Sequence, residues 1–182
     1  EMHAVTNKLE TGKTKVQELE EKVKTLEDEL SRTKTENMKD HLTGLLTRKA
    51  FSDEVKRIES AYERIKTQYA VVFFDLDHFK NINDTYGHEC GDVVLSTFGK
   101  ILNKSIRDHD IVGRYGGEEF VAIIHFNLNR ELLQFLKRIK TIVTENSFLY
   151  KGQKIKVTFS AGVALRSSYD SYENALQKAD ML

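Results

Sequence analysis

Two adjacent glycines followed by two adjacent carboxylates form the stretch with the clearest potential for chemistry. They lie within residues 114–120, whose sequence is Arg-Tyr-Gly-Gly-Glu-Glu-Phe. Short apolar segments stand on either side, at residues 111–112 and 121–124. Two such segments around a Gly-Gly tip predict a β-hairpin, and glycine, which has no Cβ, lets the backbone approach a ligand closely. The tip is therefore suited to a phosphate group and its metal ion.

A second group of carboxylates follows a nearly unbroken apolar run at residues 69–74. That run predicts a buried central strand with Asp75 and Asp77 at its C-terminal end. Mg²⁺ takes oxygen ligands and usually shares one or two carboxylates with substrate phosphates. Either aspartate could meet Glu118 or Glu119 across a paired strand, which predicts metal-assisted phosphoryl or nucleotidyl transfer. Taken alone, each half has a simpler interpretation, as a solvated strand end or a polar turn.

Composition narrows the class of protein. The chain has 182 residues, 40% hydrophobic and 31% charged, enough for one ordinary domain plus an extension. Its formal net charge is zero, which gives no reason to expect nucleic acid or an anionic membrane as the main partner. Cys90 is the single cysteine, and the six histidines show no zinc-type spacing with it. We expect a reducing, cytoplasmic setting, and no apolar run approaches the ~18 residues that span a bilayer.

The first 38 residues have apolar side chains at alternating spacings of four and three, the pattern of a coiled coil. The a and d positions include Leu9, Val16, Leu19, Val23 and Leu26. β-Branched residues at a with Leu at d favour a parallel dimer, and most g–e charge pairs between two such helices are attractive. We therefore predict a parallel homodimer through residues 1–38; the alternative is a single solvated helix.

The end of this pattern is weaker, because polar Thr33 and Asn37 stand at a or d positions. Such residues can fix or permit a change of register. Since the chain begins inside the heptads, we expect a sensory domain upstream. Residues 40–51 then break the heptads with a glycine and begin an amphipathic helix that should continue to about Thr67. The second domain is accordingly predicted to cover residues 39–182.

Residues 75–92 form a turn rich in hydrogen-bonding side chains, followed by a helix with apolar residues at helical spacing. Asn and Asp side chains together supply the donors and acceptors that the edge of guanine requires. Considered one at a time, Asn83 and Asp84 are better explained as residues that form simple turns.

Residues 40–51, 75–92 and 114–120 together resemble the GGDEF domains, diguanylate cyclases that join two GTP molecules into cyclic di-GMP. The resemblance extends from about Asp40 to the last residue. Glu118 stands where the family name has Asp, and Thr47 and Lys49 stand where the family usually has Asn and Arg. The resemblance implies an α/β fold with a central, mainly antiparallel sheet of about five strands, flanked by helices like the palm of nucleotide polymerases and cyclases.

The resemblance also implies a role for each residue of the site. Asp75, the Leu76 carbonyl and Glu118 would hold Mg²⁺ or Mn²⁺. Glu119 would orient or help deprotonate the attacking hydroxyl, and Asp77 is a further candidate. The residues implied in GTP binding are Phe79, Lys80, Asn83, Asp92, Gly116 and Gly117. Among these, Asn83 and Asp92 would read guanine and Lys80 would contact phosphate.

Arg107 and Asp110 have the spacing of the family's inhibitory product site, Arg-x-x-Asp. Arg138 resembles the arginine that a neighbouring domain offers to bound inhibitor in some members. The competing function is a catalytically silent domain that binds cyclic di-GMP as a receptor through Arg107 and Asp110. Family members also continue past the position of Leu182 into a segment with a Lys and an Arg, so we expect that the closing helix is truncated.

Overall fold

The computed structural model describes residues 2–36, 38–145 and 148–181, and it describes their side chains from residue 12 onward except at 34–36. The chain divides into two compact units, one up to residue 37 and one from Met38. The side chain of Leu9 and the whole of Asn37, both part of the predicted coiled coil, lie outside the described part.

The first unit is the helix α1 (Met2–Glu36). Its sequence is rich in Glu, Lys and Leu, which are strong helix formers. The apolar residues of the heptad pattern are each 52–56% exposed: Val16, Leu19, Val23, Leu26 and Leu30. A continuous apolar stripe along an exposed helix is a surface suited to a second helix.

The second unit alternates helices and strands. Its helices are α2 (Arg48–Ile65), α3 (Phe79–Tyr86), α4 (His88–Ser105), α5 (Asn129–Glu145) and α6 (Tyr172–Asp180). Its strands are β1 (Tyr69–Leu76), β2 (Ile111–Arg114), β3 (Glu119–His125), β4 (Phe148–Tyr150), β5 (Gln153–Ile155) and β6 (Phe159–Leu165). Within the described residues, no helix is both long and apolar enough to cross a membrane.

Four strands form the central sheet in the order β2-β3-β1-β6, and every neighbouring pair is antiparallel. The β1–β3 register runs from Tyr69 opposite His125 to Asp75 opposite Glu119. On the other side of β1, Leu76 lies opposite Phe159. The two acidic stretches of the sequence are thus on neighbouring central strands.

Strand β1 is buried on both faces, as its unbroken apolar sequence predicts. Alternate residues of a strand point to opposite faces. One hydrophobic core contains Ala70, Val72 and Phe74, and the other contains Tyr69, Val71 and Phe73. The strand therefore holds the two cores together.

Helices cover both faces of the sheet. Helices α4 and α5 pack on the first core through residues such as Phe98 and Ile139, and helices α2 and α6 pack on the second through Phe51 and Ala175. The predicted fold, a mainly antiparallel sheet flanked by helices, is confirmed.

The sheet differs from the expectation in its number of strands. Among the described residues it has four rather than about five, because β4 and β5 pair with each other in a separate hairpin. The alternating run 155–159 is divided between two sheets, because Ile155 pairs with Phe148 whereas Phe159 pairs with Leu76. Helix α2 also ends before Thr67, since Lys66 adopts a left-handed conformation at its C-terminus.

Candidate active site

The pairing of β1 with β3 brings the predicted carboxylates to one end of the sheet. The register places Asp75 opposite Glu119. The backbone N–H of Leu76 donates to the Glu118 carbonyl at 3.3 Å. The expected meeting of the two acidic stretches is therefore found, with Asp75 rather than Asp77 at the paired position.

Asp77 follows the last residue of β1, beyond the paired residues of β1 and β3. It connects the end of β1 to Thr158, just before β6, and to Ser160 in β6. Its backbone N–H donates to the Thr158 carbonyl at 2.9 Å. Its carboxylate accepts a hydrogen bond from the Ser160 hydroxyl at 2.7 Å. One oxygen of Asp77 is thus engaged in fixing the end of the strand.

The two glycines of the hairpin tip have different tasks. An added Cβ at Gly116 would lie 2.3 Å from Oε2 of Glu119, so any side chain there would displace that carboxylate. Gly117 has no heavy atom within 4 Å of the corresponding position. Gly116 therefore makes room for the Glu119 carboxylate, and Gly117 leaves the tip open to a ligand.

Side chains from the start of the second unit brace the tip. Arg114 donates to the Gly117 carbonyl at 2.8 Å and to the Asp40 carboxylate at 3.2 Å. The Arg48 guanidinium lies 4.2 Å from the centre of the Tyr115 ring and donates to the Tyr115 hydroxyl at 3.2 Å. Asp40 and Arg48 both belong to residues 40–51, where the sequence predicted the start of a helix and no pattern indicated contacts with the hairpin tip.

Burial and neighbouring negative charges raise the pKa of two carboxylates at this end of the sheet, Asp75 and Glu119. For Asp75, burial raises the pKa most, followed by the nearby charges of Glu118, Asp77 and Asp180. For Glu119, burial again comes first, followed by Asp180, Asp75 and Glu118. Partly buried anions that repel one another are stabilised by a hard divalent cation. The residues present therefore fit a Mg²⁺ or Mn²⁺ ion.

Helix α3 begins directly after the acidic end of β1 and carries three of the predicted GTP-binding residues. Phe79 is buried and Lys80 is exposed on its first turn. Oδ1 of Asn83 is buried and has no hydrogen-bond partner among the described residues. An added Cβ at Gly91 of α4 would lie 1.9 Å from that oxygen. A buried acceptor without a donor is costly, so the Asn83 oxygen lacks a donor that the described residues do not supply. Asp92, the residue after Gly91, is exposed.

The predicted inhibitory residues line a different part of the surface. Arg107, Asp110 and Arg138 share a small pocket of about 50 Å³. Both arginines also line a larger cavity of about 540 Å³, and Arg138 donates to the Ser105 carbonyl. The structure therefore brings these three residues together.

Asp110 faces its own loop rather than solvent, since only 3% of its side chain is exposed. Its carboxylate accepts from the backbone N–H groups of Arg107 at 3.0 Å and His125 at 2.8 Å. Burial acts to raise the pKa of Asp110, but His125 and these backbone donors outweigh it and hold the pKa below its usual range. The carboxylate is thus charged and already satisfied within the protein.

A mainly antiparallel sheet flanked by helices, with carboxylates at one end of its central strand pair, is the class of fold that this chain shares with the solved GGDEF domains. Within that class the chain belongs to the GGDEF family, because residues 37–182 match the family described as "Diguanylate cyclase, GGDEF domain". Members of this family generally use divalent metal ions. The resemblance seen in the sequence is confirmed.

Curated relatives carry the same family name. The chain is 30% identical to diguanylate cyclase DgcP of Pseudomonas aeruginosa over 176 residues, which are 97% of this chain and 26% of the relative. It is 40% identical to diguanylate cyclase A of Treponema denticola over 127 residues, which are 68% of this chain and 33% of the relative. The chain thus spans about a quarter to a third of the length of these proteins.

Solved structures agree in fold. The coiled coil and GGDEF domain of DgcB from Caulobacter crescentus, in complex with c-di-GMP, matches with a TM-score of 0.85 and 27% identity, over 92% of this chain and 90% of that chain. Diguanylate cyclase SiaD from Pseudomonas aeruginosa, in complex with its activator SiaC, matches with a TM-score of 0.75 and 27% identity, over 98% of this chain and 67% of that chain.

Proposed function

We propose that this chain is a diguanylate cyclase that condenses two GTP molecules into cyclic di-GMP and two pyrophosphates. In each of two steps the 3′-hydroxyl of one GTP attacks the α-phosphorus of the other. A new O3′–P bond forms, the bond from that phosphorus to the bridging oxygen breaks, and pyrophosphate leaves. The observation that carries the proposal is the pairing of Asp75 with Glu119 at one end of the sheet, with the unsatisfied oxygen of Asn83 on the helix that follows.

Asp75, the Leu76 carbonyl and Glu118 would hold the divalent ion, Mg²⁺ or Mn²⁺. Bound there, the ion would neutralise charge on the reacting phosphates and on the leaving pyrophosphate. The hydrogen bond between Leu76 N–H and the Glu118 carbonyl supports this assignment, because it fixes the two strand ends beside each other. The raised pKa of Asp75 supports it as well, since burial and neighbouring anions leave that carboxylate short of positive charge.

Glu119 orients the attacking hydroxyl and accepts its proton. Burial, followed by nearby carboxylates, raises the pKa of Glu119, which moves it toward the range where a general base works near neutral pH. Gly116 leaves space for the Oε2 atom of this side chain. Arg114 donates hydrogen bonds to the carbonyls of Gly116 and Gly117, and so fixes the hairpin tip beside Glu119.

GTP binds along α3 and the hairpin tip under this proposal. The Asn83 oxygen accepts from the guanine N–H groups, and exposed Asp92 supplies a second acceptor. Lys80 contacts phosphate as a mobile point charge. The backbone at Phe79, which begins α3, and at the Gly116–Gly117 tip approaches the phosphates closely.

Each domain holds one GTP, so two copies must face each other to make the product. The exposed apolar stripe of α1 supports a parallel coiled-coil homodimer that tethers the two domains.

We infer that the helix transmits a signal from an upstream sensory domain through a register change near Thr33 and Asn37. Thr33→Leu should shift basal activity strongly while light scattering still reports a dimer. Unchanged activity would indicate that the helix only holds the two domains together and does not regulate them.

Product inhibition is assigned to the cavity shared by Arg107 and Arg138. Two exposed guanidinium groups on one cavity suit the phosphates and guanine edges of cyclic di-GMP. For Asp110 to accept from guanine, its loop must first release the N–H groups of Arg107 and His125. Inhibition should therefore involve a movement of this loop.

The central test is GTP turnover by the purified chain in the presence of Mg²⁺. Cyclic di-GMP should form, and Glu118→Gln should lower the rate at least about a hundredfold, because the substitution removes an ionised metal ligand. Glu63→Gln is the matched control, since Glu63 is an exposed glutamate of α2. Turnover that survives Glu118→Gln would contradict the metal assignment.

The same cavity favours a second candidate function, that of a receptor for cyclic di-GMP without turnover. Binding of cyclic di-GMP that Arg107→Ala abolishes, together with no detectable GTP turnover in a chain extended at its C-terminus, would favour the receptor. GTP turnover by the extended chain would instead support the function of a cyclase.

A further inference from the structure

A group of potential metal ligands lies at the opposite end of the sheet from the carboxylates. His109 and Asp110 precede β2, and His125 is the last residue of β3, opposite Tyr69. Along β3, His125 is about 20 Å from Glu119 at the usual rise of a strand. No role proposed above uses either histidine side chain.

The three side chains have their ligand atoms close together. Within the described residues, this is the one set of three His, Cys, Asp or Glu side chains whose ligand atoms all lie within 4.8 Å of one another. Oδ1 of Asp110 lies 3.4 Å from Nδ1 of His125 and 3.8 Å from Nε2 of His109. Ligands of a tetrahedral ion with bonds of ~2.0–2.1 Å stand roughly 3.3–3.4 Å apart. The Asp110–His125 pair already has this spacing, and the His109 nitrogen must move closer to complete a metal site.

Asp110 is already held in the orientation that a ligand needs. One of its oxygens accepts from the backbone N–H of His125 at 2.8 Å, and the other accepts from the backbone N–H of Arg107 at 3.0 Å. A carboxylate oxygen has room for a second interaction. Hydrogen bonds that orient a ligand in this way are a regular feature of metal sites.

His125 presents a nitrogen that the protein leaves unsatisfied. Its Nδ1 is buried and has no hydrogen-bond partner among the described residues, although Oδ1 of Asp110 lies 3.4 Å away. The ring packs between those of Tyr69 and His109, with centroids 6.0 and 5.4 Å away. The His109 side chain is 58% exposed, so it can move to complete the set.

We propose that His109, Asp110 and His125 bind a divalent transition-metal ion of the Zn²⁺ type. Two imidazoles and one carboxylate suit Zn²⁺, Co²⁺ or Ni²⁺ rather than Mg²⁺, which prefers oxygen ligands. Three protein ligands leave one coordination position open. A cavity of about 510 Å³, lined by both histidines together with Arg107 and Glu131, can receive a water or an anion at that position.

A bound ion would tie the loop at Arg107–Asp110 to the end of β3. It would also occupy the Asp110 carboxylate, which could not then accept from another ligand. The competing interpretation is a simple ion pair, in which protonated imidazoles lie beside Asp110 without a metal.

The test uses the chain freed of metal by a chelator and titrated with Co²⁺, whose visible absorption reports a tetrahedral site, or with Zn²⁺ against a chromogenic chelator. The wild-type chain should bind one Co²⁺ with intense absorption, and excess Mg²⁺ should not displace it. His109→Gln and His125→Gln should each weaken binding at least about tenfold. His41→Gln, at an exposed histidine outside the group, should bind like the wild type.

His109→Gln decides the outcome if His125→Gln fails to fold, because the His109 side chain is largely exposed. Thermal unfolding of each variant without metal checks the fold. The proposal is overturned if Co²⁺ gives no tetrahedral spectrum, or if wild type and His109→Gln bind Co²⁺ and Zn²⁺ equally well. Either result would leave the simple ion pair as the interpretation.

Discussion

Replacing Gly91 with Ala is expected to weaken GTP binding while leaving the fold intact. Gly91 lies on α4, and an added Cβ would stand 1.9 Å from Oδ1 of Asn83 and 3.1 Å from Cζ of Phe79. The substitution itself favours the helix, since Ala exceeds Gly in helix propensity by about 0.8–1.0 kcal/mol. The severe clash is therefore with the end of a flexible side chain that is proposed to read guanine.

The size of the effect follows from these distances. Carbon and oxygen need roughly 3.4 Å between them, so Oδ1 of Asn83 must move by about 1.5 Å. A movement of that size takes an ordinary hydrogen bond beyond its limit. Losing such a bond to a buried acceptor costs about 1–3 kcal/mol, which corresponds to a rise of roughly 5- to 150-fold in the dissociation constant of GTP. The helix gain offsets the crowding of Phe79, so the melting temperature should change by only a few degrees.

Calorimetric titration with a GTP analogue whose α–β bridge cannot be cleaved measures this binding step alone. Asn83→Ala is the reference variant, and adding Gly91→Ala to it should cause no further loss. Asn103→Ala is the control, because Asn103 is an exposed residue of the same helix. The reasoning is refuted if Gly91→Ala binds like wild type while Asn83→Ala binds weakly, or if the two losses add.

Two further predictions concern the hairpin tip and the second core. Gly116→Ala should lower kcat at least about tenfold, because the added Cβ would lie 2.3 Å from Oε2 of Glu119; an unchanged kcat would contradict this. Glu59→Gln should lower the free energy of unfolding at neutral pH by about 3 kcal/mol, because Glu59 accepts hydrogen bonds at 2.9 and 3.1 Å from the largely buried Arg166. Burial raises the pKa of Glu59, but Arg166 and Tyr69 outweigh it and lower the pKa, so this stability is present above the unfolded pKa and is lost as pH falls through the folded one. Urea unfolding at neutral and acidic pH checks this, and a difference that stays constant with pH would count against it.

The acidic end of β1 was predictable because its causes are local. An apolar run followed by Asp75 reads as a buried strand with a carboxylate at its end, and the hairpin at Gly116 offers Glu119 to a neighbouring strand. No comparable sequence pattern indicated that Asp180 lies near these carboxylates. Asp180 influences Asp75 and Glu119 because α6 packs on the second core through Ala175 and Ala179, and that packing depends on the tertiary fold.

The loop that carries Arg107 and Asp110 shows where spacing along the chain alone is insufficient. The Arg-x-x-Asp pattern predicted that Asp110 serves a ligand, but a buried carboxylate takes the nearest donors, which are the N–H groups of Arg107 and His125. His109 and His125 show no metal-type spacing along the chain. Their proximity results from the loop before β2 meeting the end of β3, which only the sheet register determines.

The two-sided burial of β1 has a consequence for how the chain is synthesised. Its partner strands are β3 and β6, and both leave the ribosome long after β1 itself, since Asp75 pairs with Glu119 and Leu76 with Phe159. Non-local pairings of this kind form slowly. An apolar strand that is exposed before its partner strands are available is prone to aggregate. This apolar segment of the nascent domain therefore lacks one of its two partner strands until residues 159–165 have been synthesised. We expect that the yield of active protein in cells depends on chaperones that shield this segment until β6 has emerged.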